Sequence, residues 1–324
     1  MSKLNWNNIP RFAELPVKAD APPESSWGVF GDDDQIGCLN FLTTDGVIEA
    51  ARLVRTGRVF RLDAPISYSE PTLFGRKPVK HEIVDLFAAQ LPALDDMIDN
   101  YNTQEGSQWD GLGHYGRMSD KVFYNNTKLE DILSRDSKRL GIHHWAGKFV
   151  GRGVLLDLYR YRVEQGREVD PLTRSAYSFE EIQAAAAAQQ VKLTPGTILL
   201  MRTGWMRAYK DASQEQRNTL GTLLGVRAIG LEPSRDLVQW LWDNRIAALG
   251  TDCPSVEPAP IPLKRENLHH RAIFLLGLPL GEQFDLEELA EDCRQDQVTE
   301  FMLVSAPLNL RGGMASPPNA VAIK

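Results

Sequence analysis

Short apolar runs bounded by glycine alternate along this chain with segments whose apolar residues recur at helical spacing. Of all the features of the sequence, this alternation limits the possible folds most strongly. GRGVLLDL (151–158) and GTILLMRTGW (196–205) are such runs and are typical of buried strands. Between them, SFEEIQAAAAAQQ is predicted to form a helix that begins at the capping box of Ser178 and Glu181. A chain in which strands and helices take turns is expected to fold as an α/β protein.

The same order recurs elsewhere in the chain. TTDGVIEAARLVRTG and PSRDLVQWLWDNR are predicted to be helices, and RVFRLD and IAALGTD are predicted to be the strands that follow them. DLEELAEDC is a further predicted helix, followed by the apolar run EFMLVSAPLNL. No linker occurs after residue 26, so we expect one α/β domain with a mixed sheet over residues 27–324. Residues 1–26 contain four prolines and are predicted to form an extended arm.

Charge and cysteine content exclude several classes of function. The net charge of −7 argues against a nucleic-acid partner or an anionic membrane surface, because both require clustered Lys and Arg. The three cysteines have no CxxC spacing, which indicates neither a disulfide framework nor a thiolate zinc site. The sequence has no apolar signal core and no stretch of membrane-spanning length. We therefore expect a cytoplasmic protein that binds a small molecule.

The candidate chemistry lies in oxygen and imidazole side chains. Phosphate-loop, dinucleotide-binding, GxSxG and HExxH motifs are all missing from the sequence. Five of the six histidines occur in three segments, two of which also hold other metal-binding residue types. These segments contain Gln108, Asp110 and His114; then His143 and His144; and then His269, His270 and Glu282. From the residues alone, a polar surface turn in which Asp and Gln bond their own backbone is favoured over a metal site for the first segment.

Several separated motifs give the chain a resemblance to a known family. WGVFGDDDQIGCLNFLT, ARLVRTGRVFRL, GRGVLLDL, ILLMRTGW, LGTDCPSVEP and RGGMASPPNAVAI together resemble the cyclase family of metal-dependent hydrolases, which includes kynurenine formamidase and isatin hydrolase. The resemblance spans nearly the whole chain. It implies a single α/β domain with a mixed, partly barrel-like β-sheet flanked by helices.

The signature of that family, HxGTHxDxPxH, aligns with QEGSQWDGLGH. Gln104 and Gln108 stand where the family has histidine, and Ser107 stands where it has threonine. Asp110 and His114 match the signature. The resemblance further implies that His270 and Glu282 correspond to the downstream histidine and glutamate of the family's metal site.

The two glutamines alter the expected metal site. An amide oxygen replaces an imidazole nitrogen, which weakens the preference for zinc and favours Mn²⁺ or Mg²⁺. We expect one divalent ion, Mn²⁺ or Zn²⁺ with Mg²⁺ also compatible, held by Gln108 and Asp110 with His270 and Glu282. In an alternative arrangement, His143 or His144 supplies a missing nitrogen ligand.

The resemblance implies hydrolysis of an acyl C–N or C–O bond in an amide, lactam or lactone. We assign His114 to proton transfer, because imidazole titrates near neutral pH. Trp109 and His144 are the candidate substrate-binding residues, although Trp109 fits a packing role equally well. Two alternatives stay open: a lyase, dehydratase or isomerase that uses the same residues, and a non-catalytic binding protein with a degraded site. We also expect a homodimer or higher homo-oligomer, because the family assembles in this way and the proline-bearing arm needs a surface to cover.

Overall fold

The computed structural model describes residues 5–134, 136, 138–262 and 267–324, and within them a nine-stranded mixed sheet forms the centre of the fold. The strands in chain order are β1 (Val59–Arg61), β2 (Lys80–Asp85), β3 (Leu94–Asp99), β4 (Gln108–Asp110), β5 (Val122–Phe123), β6 (Thr127–Lys128), β7 (Val150–Asp157), β8 (Ala176–Tyr177), β9 (Ile198–Arg202), β10 (Gly230–Leu231), β11 (Ala248–Thr251), β12 (Leu280–Glu282), β13 (Glu300–Ser305), β14 (Ala315–Ser316) and β15 (Ala320–Ile323).

The large sheet has the strand order β1-β15-β13-β7-β9-β11-β12-β4-β14. Its centre, β7-β9-β11-β12, is parallel, and the strands on both flanks pair antiparallel. Parallel strands are buried on both faces, and β9 and β11 are accordingly buried along their whole length. The sheet is curled, so the predicted fold class, a single α/β domain with a mixed and partly barrel-like sheet, is confirmed.

Helices flank this sheet. The α-helices are α1 (Thr44–Ala51), α2 (Leu129–Leu133), α3 (Leu158–Glu164), α4 (Phe179–Ala188), α5 (Trp205–Asp211), α6 (Gln214–Leu220), α7 (Arg235–Asp243) and α8 (Glu287–Asp296). A π-helix covers His270–Leu276. Short 3₁₀ helices cover Trp6–Asn8, Phe12–Glu14, Gly37–Phe41, Leu73–Gly75, Phe87–Ala89, Tyr124–Asn126 and Ile142–Trp145.

The segments with the clearest periodicity fold as predicted. The two glycine-bounded runs become the central strands β7 and β9, and the alanine-rich segment becomes α4. The Ser178 side chain accepts the Glu181 backbone N–H and so caps the start of α4. In α7, Leu237 and Leu241 are buried in the core. Apolar periodicity therefore located the elements that build the core.

Residues 9–12 lie against the C-terminal end of α7. Phe12 is buried there, and its backbone N–H donates to the Asp243 carboxylate at 2.8 Å. Trp242 Nε1 donates to the carbonyl of Pro10, and Arg245 donates to the carbonyl of Ile9. Residues 1–4 of the predicted arm lie outside the described residues, and the arm boundary at residue 26 stays a prediction. Within the described part of the chain, no helix has both the length and the apolar character needed to cross a bilayer.

Candidate metal centre

The register between β4 and β12 brings two polar side chains together. The strands are antiparallel, and Gln108 is the direct partner of Glu282. The Gln108 amide nitrogen lies 2.6 Å from Glu282 Oε2 and 3.4 Å from Asp110 Oδ1. Since alternate residues of a strand share a face, Gln108 and Asp110 point to the same side. All three side chains are buried.

Trp109 occupies the opposite face of β4, between these two polar residues. It is fully buried, stacks on Phe149 and donates its indole N–H to Ser305 Oγ at 3.1 Å. A Cβ at Gly281 would lie 2.5 Å from the Trp109 ring, so only glycine permits this approach of the two strands. The contacts of Trp109 place it in the core rather than at the polar face, and its substrate-binding role is not supported by this placement.

His269 reaches the polar cluster from the start of the helical segment that follows the loop after β11. Its Nε2 lies 3.3 Å from Glu282 Oε1 and 3.8 Å from Asp110 Oδ2. On the other side of the ring, Nδ1 lies 2.6 Å from Glu257 Oε1. The Glu257 carboxylate also accepts the backbone N–H groups of Leu268 and His269, which fixes it at the start of this helical segment. Glu257 therefore holds the imidazole with Nε2 directed at the two acidic residues.

His114 completes the cluster from the loop after β4. Its Nε2 lies 3.8 Å from Asp110 Oδ1, and its Nδ1 lies 2.8 Å from the side-chain amide of Gln104. About a quarter of the His114 side chain, 27%, is exposed, whereas Asp110 is fully buried. His114 is therefore the member of the cluster that a molecule entering from solvent meets first.

The charges of the cluster are interdependent. Burial raises the pKa of Glu282 to about 7, and the nearby charge of Asp110 adds to this shift. Burial also opposes ionisation of Asp110, but His114 and His269 outweigh it and hold the pKa of Asp110 below its usual value. Burial tends to neutralise His269, yet its acidic neighbours Asp110, Glu257 and Glu282 raise the pKa of this histidine well above normal. For His114, desolvation dominates and lowers the pKa, which favours the neutral imidazole.

The donor set fits a divalent cation. One ligand atom from each of Asp110, His114 and His269 can be chosen so that all three lie within 4.8 Å of one another. Gln108 Oε1 and Asp110 Oδ2 are buried and accept no hydrogen bond from any of the described residues. Buried oxygens without a donor are costly, and a bound cation would satisfy them. The residues present are therefore suited to an ion bound by oxygen and imidazole ligands.

The structure brings together Gln108, Asp110, His114 and Glu282 from the predicted site. It places His269, rather than the predicted His270, at the cluster. The His270 ring lies on Phe274, with the ring centroids 4.8 Å apart. Successive residues of a helix are rotated by about 100° from one another, so adjacent histidines there face different directions. The sequence spacing gave no means of choosing between them.

His143 and His144 contact each other and the backbone at Gly312. Their rings contact each other, with centroids 4.1 Å apart, and His143 Nδ1 accepts the backbone N–H of Gly312. The described contacts of His144 include none with the cluster, so neither its predicted substrate-binding role nor the alternative ligand role has structural support.

Three further residues around the cluster were not identified as partners from sequence. They are Glu257, which holds His269; Gln104, which contacts His114; and Arg76, which donates to the carbonyl of Gln104. Arg76 lies near enough to Glu282 and Asp110 for their charges to oppose the lowering of its pKa by burial. The only sequence signal was the position of Gln104 at the first histidine of the signature.

Comparisons with known proteins agree on the family. The family model named Cyclase, with the description "Putative cyclase", matches residues 60–258. A crystal structure described as a novel cyclase is 32% identical, covers 93% of this chain and 99% of its own, and superposes with a TM-score of 0.81. No curated protein sequence matches the chain.

More distant structures share the fold. Isatin hydrolase A from Labrenzia aggregata, bound to benzyl benzoate, is 17% identical with a TM-score of 0.56, and the match covers 86% of this chain and 96% of that one. Isatin hydrolase A from Ralstonia solanacearum is 18% identical with a TM-score of 0.53, and the match covers 82% and 91% of the two chains.

Proposed function

This chain belongs to the cyclase family, and from that premise we propose that it is a metal-dependent hydrolase of an acyl C–N or C–O bond. The substrate class is an amide, lactam or lactone. The observation that carries the proposal is the cluster of buried Asp110 and His269 with partly exposed His114, beside two buried oxygens that lack a hydrogen-bond donor. The isatin hydrolases that share the fold support hydrolysis as the reaction type.

We assign the ion to Asp110, His269, Glu282 and the amide oxygen of Gln108. Asp110 and Glu282 supply negative charge, His269 supplies a nitrogen, and Gln108 supplies a neutral oxygen. This mixed set suits Mn²⁺ or Zn²⁺ and is also compatible with Mg²⁺. When bound, a divalent ion supplies Lewis acidity to an acyl oxygen and to an attacking water.

His114 is assigned to proton transfer. Its lowered pKa keeps the ring neutral near pH 7, so it can accept a proton from water and later donate it to the leaving group. Its contact with Gln104 orients the ring through Nδ1, which leaves Nε2 on the side of Asp110. Its partial exposure gives substrate access to this nitrogen.

A mass-resolved activity assay tests the proposal. The purified protein is stripped of metal, reloaded with Mn²⁺ or Zn²⁺, and incubated with panels of lactones, lactams and formamides. Hydrolysis adds one water across the bond that is cleaved. A product of unchanged mass would support an isomerase instead, and a product that has lost water or a larger fragment without hydration would support a lyase or dehydratase. Failure to bind any divalent ion would refute the proposal and favour a binding protein.

His114→Ala separates proton transfer from metal binding. We expect a loss of ~10²- to 10⁴-fold in kcat with the metal content unchanged, and an equal loss in His114→Gln, which cannot exchange a proton near neutrality. Metal content is measured by elemental analysis of the same samples. Loss of the ion together with activity would instead make His114 a ligand, which its place in the 4.8 Å set also allows.

A further inference from the structure

A cavity lies at the end of the sheet opposite to the metal cluster. It has a volume of about 440 Å³ and opens between α1, the first residues of β7 and the segment that precedes β9. Val150 and Gly151 line it at the start of β7, whereas Glu282 lies at the end of β12. Both strands run in the same direction within the parallel centre of the sheet. The cavity is therefore separate from the candidate metal centre.

The wall of this cavity is mostly apolar. Five apolar side chains line it, those of Phe41, Leu42, Leu53, Val150 and Pro195. Three glycines also line it, and they add no side chain that would fill the space. Small-molecule sites in proteins are concave and mostly apolar, have volumes of about 300 to 1,000 Å³ and carry a few polar groups that orient the ligand. The size and the lining of this cavity fit such a site.

The acidic groups of the lining are paired with arginines, whereas its lysine is not. Glu49 accepts a hydrogen bond from Arg52 at 2.6 Å. Glu300 accepts from Arg152 Nε at 3.0 Å and from Nη2 at 2.8 Å. Lys192 is exposed at the rim, and no carboxylate of the described residues forms an ion pair with it. The charge left without a partner at this cavity is therefore positive.

We propose that the cavity binds a small amphipathic carboxylate. Its apolar body lies against the cavity wall, and its carboxylate lies beside the Lys192 ammonium. A cationic ligand would be repelled by this lysine, and a wholly apolar ligand would leave it unpaired. A specific protein interface covers about 800 Å² on each partner, which is more surface than the walls of this cavity present. The site is additional to the proposed hydrolase and does not depend on it.

Titration calorimetry of the purified protein with octanoate tests this proposal, with hexanoate and octanamide for comparison. We expect one octanoate to bind per chain with a Kd in the millimolar range or below. Each buried CH₂ group should strengthen binding by a little under fourfold, so octanoate should bind roughly 14-fold more tightly than hexanoate.

Two variants locate the bound octanoate. Leu53→Asp places a charge in the apolar wall and should weaken octanoate binding by more than about tenfold. Lys192→Gln should weaken it by about 1.4- to 5-fold, the range for an exposed ion pair, and should leave octanamide binding unchanged. Ile48→Asp is the matched control, because Ile48 is a half-exposed residue of α1 that does not line the cavity. It should bind octanoate as the wild type does.

Lys192→Gln changes only an exposed side chain, so it tests the proposal even if circular dichroism shows that Leu53→Asp is unfolded. Three results would overturn the proposal. The first is no saturable binding of octanoate up to about 10 mM. The second is wild-type octanoate affinity in Lys192→Gln and in a folded Leu53→Asp, since the octanoate would then lie elsewhere, for example at the metal cluster. The third is an octanoate affinity that falls as the protein is concentrated, which would show that another protein molecule covers the cavity. None of these measurements needs turnover, so the hydrolase proposal is tested separately.

Discussion

Replacing Glu257 by glutamine tests how the orientation of His269 is fixed. The carboxylate lies 2.6 Å from His269 Nδ1 and accepts two backbone N–H groups, so the substitution keeps the shape, removes the charge and replaces one of the two accepting oxygens by an NH₂ group. A hydrogen bond to a charged group contributes about 1.5–3 kcal/mol, against about 0.5–1.5 kcal/mol for a neutral one. The midpoints of these ranges differ by roughly 1.25 kcal/mol, which corresponds to a little under tenfold in affinity.

We therefore expect Glu257→Gln to raise the Kd for Mn²⁺ or Zn²⁺ by ~10-fold, and by no more than ~100-fold, the range for residues that orient metal ligands. Titration calorimetry of the metal-free protein measures this change. Glu232→Gln, at an exposed glutamate outside the cluster, is the control and should bind as the wild type does.

A double-mutant cycle decides whether Glu257 acts through His269. In a His269→Ala background, Glu257→Gln should have no further effect on metal affinity, since the group that it orients is missing. An unchanged Kd in the single variant would refute the reasoning. An equal loss in both backgrounds would show that Glu257 acts on the site by another route.

Four other substitutions test the cluster and its support. Asp110→Ala is expected to abolish metal binding, whereas Gln108→Ala should only weaken it. The reason is that the carboxylate attracts a cation by its charge and the amide only by its dipole. Equal losses of affinity in a metal titration would contradict this. Trp109→Ala should lower the free energy of unfolding by ~3–5 kcal/mol in urea, whereas an effect confined to KM would return Trp109 to the substrate site. Glu282 has a pKa of about 7 in the folded metal-free protein, above its ordinary value of 4.5. As the pH rises, the unfolded chain therefore loses the proton of this carboxyl group at a lower pH than the folded protein does. Stability should therefore fall as the pH rises from 4.5 to about 7, and Glu282→Gln should reduce this slope in urea midpoints measured across that range.

The sequence was sufficient to predict the helices and strands whose apolar residues recur with one clear period. The glycine-bounded apolar runs of β7 and β9 are typical of buried strands, and Ser178 marked the start of α4. The hairpin of β2 and β3 was not predicted, because its strands mix charged and apolar residues on both faces. Alternation is informative when one face is buried and the other is not, and both faces of this hairpin are exposed.

The residues of the candidate site were predictable where their spacing along one strand determines the direction of their side chains. Gln108 and Asp110 are two residues apart on one strand, so their common face follows from the pleat of the strand. The choice between His269 and His270 depends on the rotation of a helix relative to a strand that is distant in sequence. Glu257 could not be found by spacing, because its role depends on packing between the loop after β11 and the start of the next helix.

The two faces of strand β4 have different surroundings. Residues 108 and 110 face the polar cluster, whereas Trp109 faces the core and packs across Gly281. A substitution at 108 therefore changes the polar cluster without disturbing the neighbouring aromatic packing. Such a strand allows the chemistry of one face to change in a single step that leaves a folded protein. Laboratory evolution of the proposed metal site could begin at this position, which lies on the strand itself.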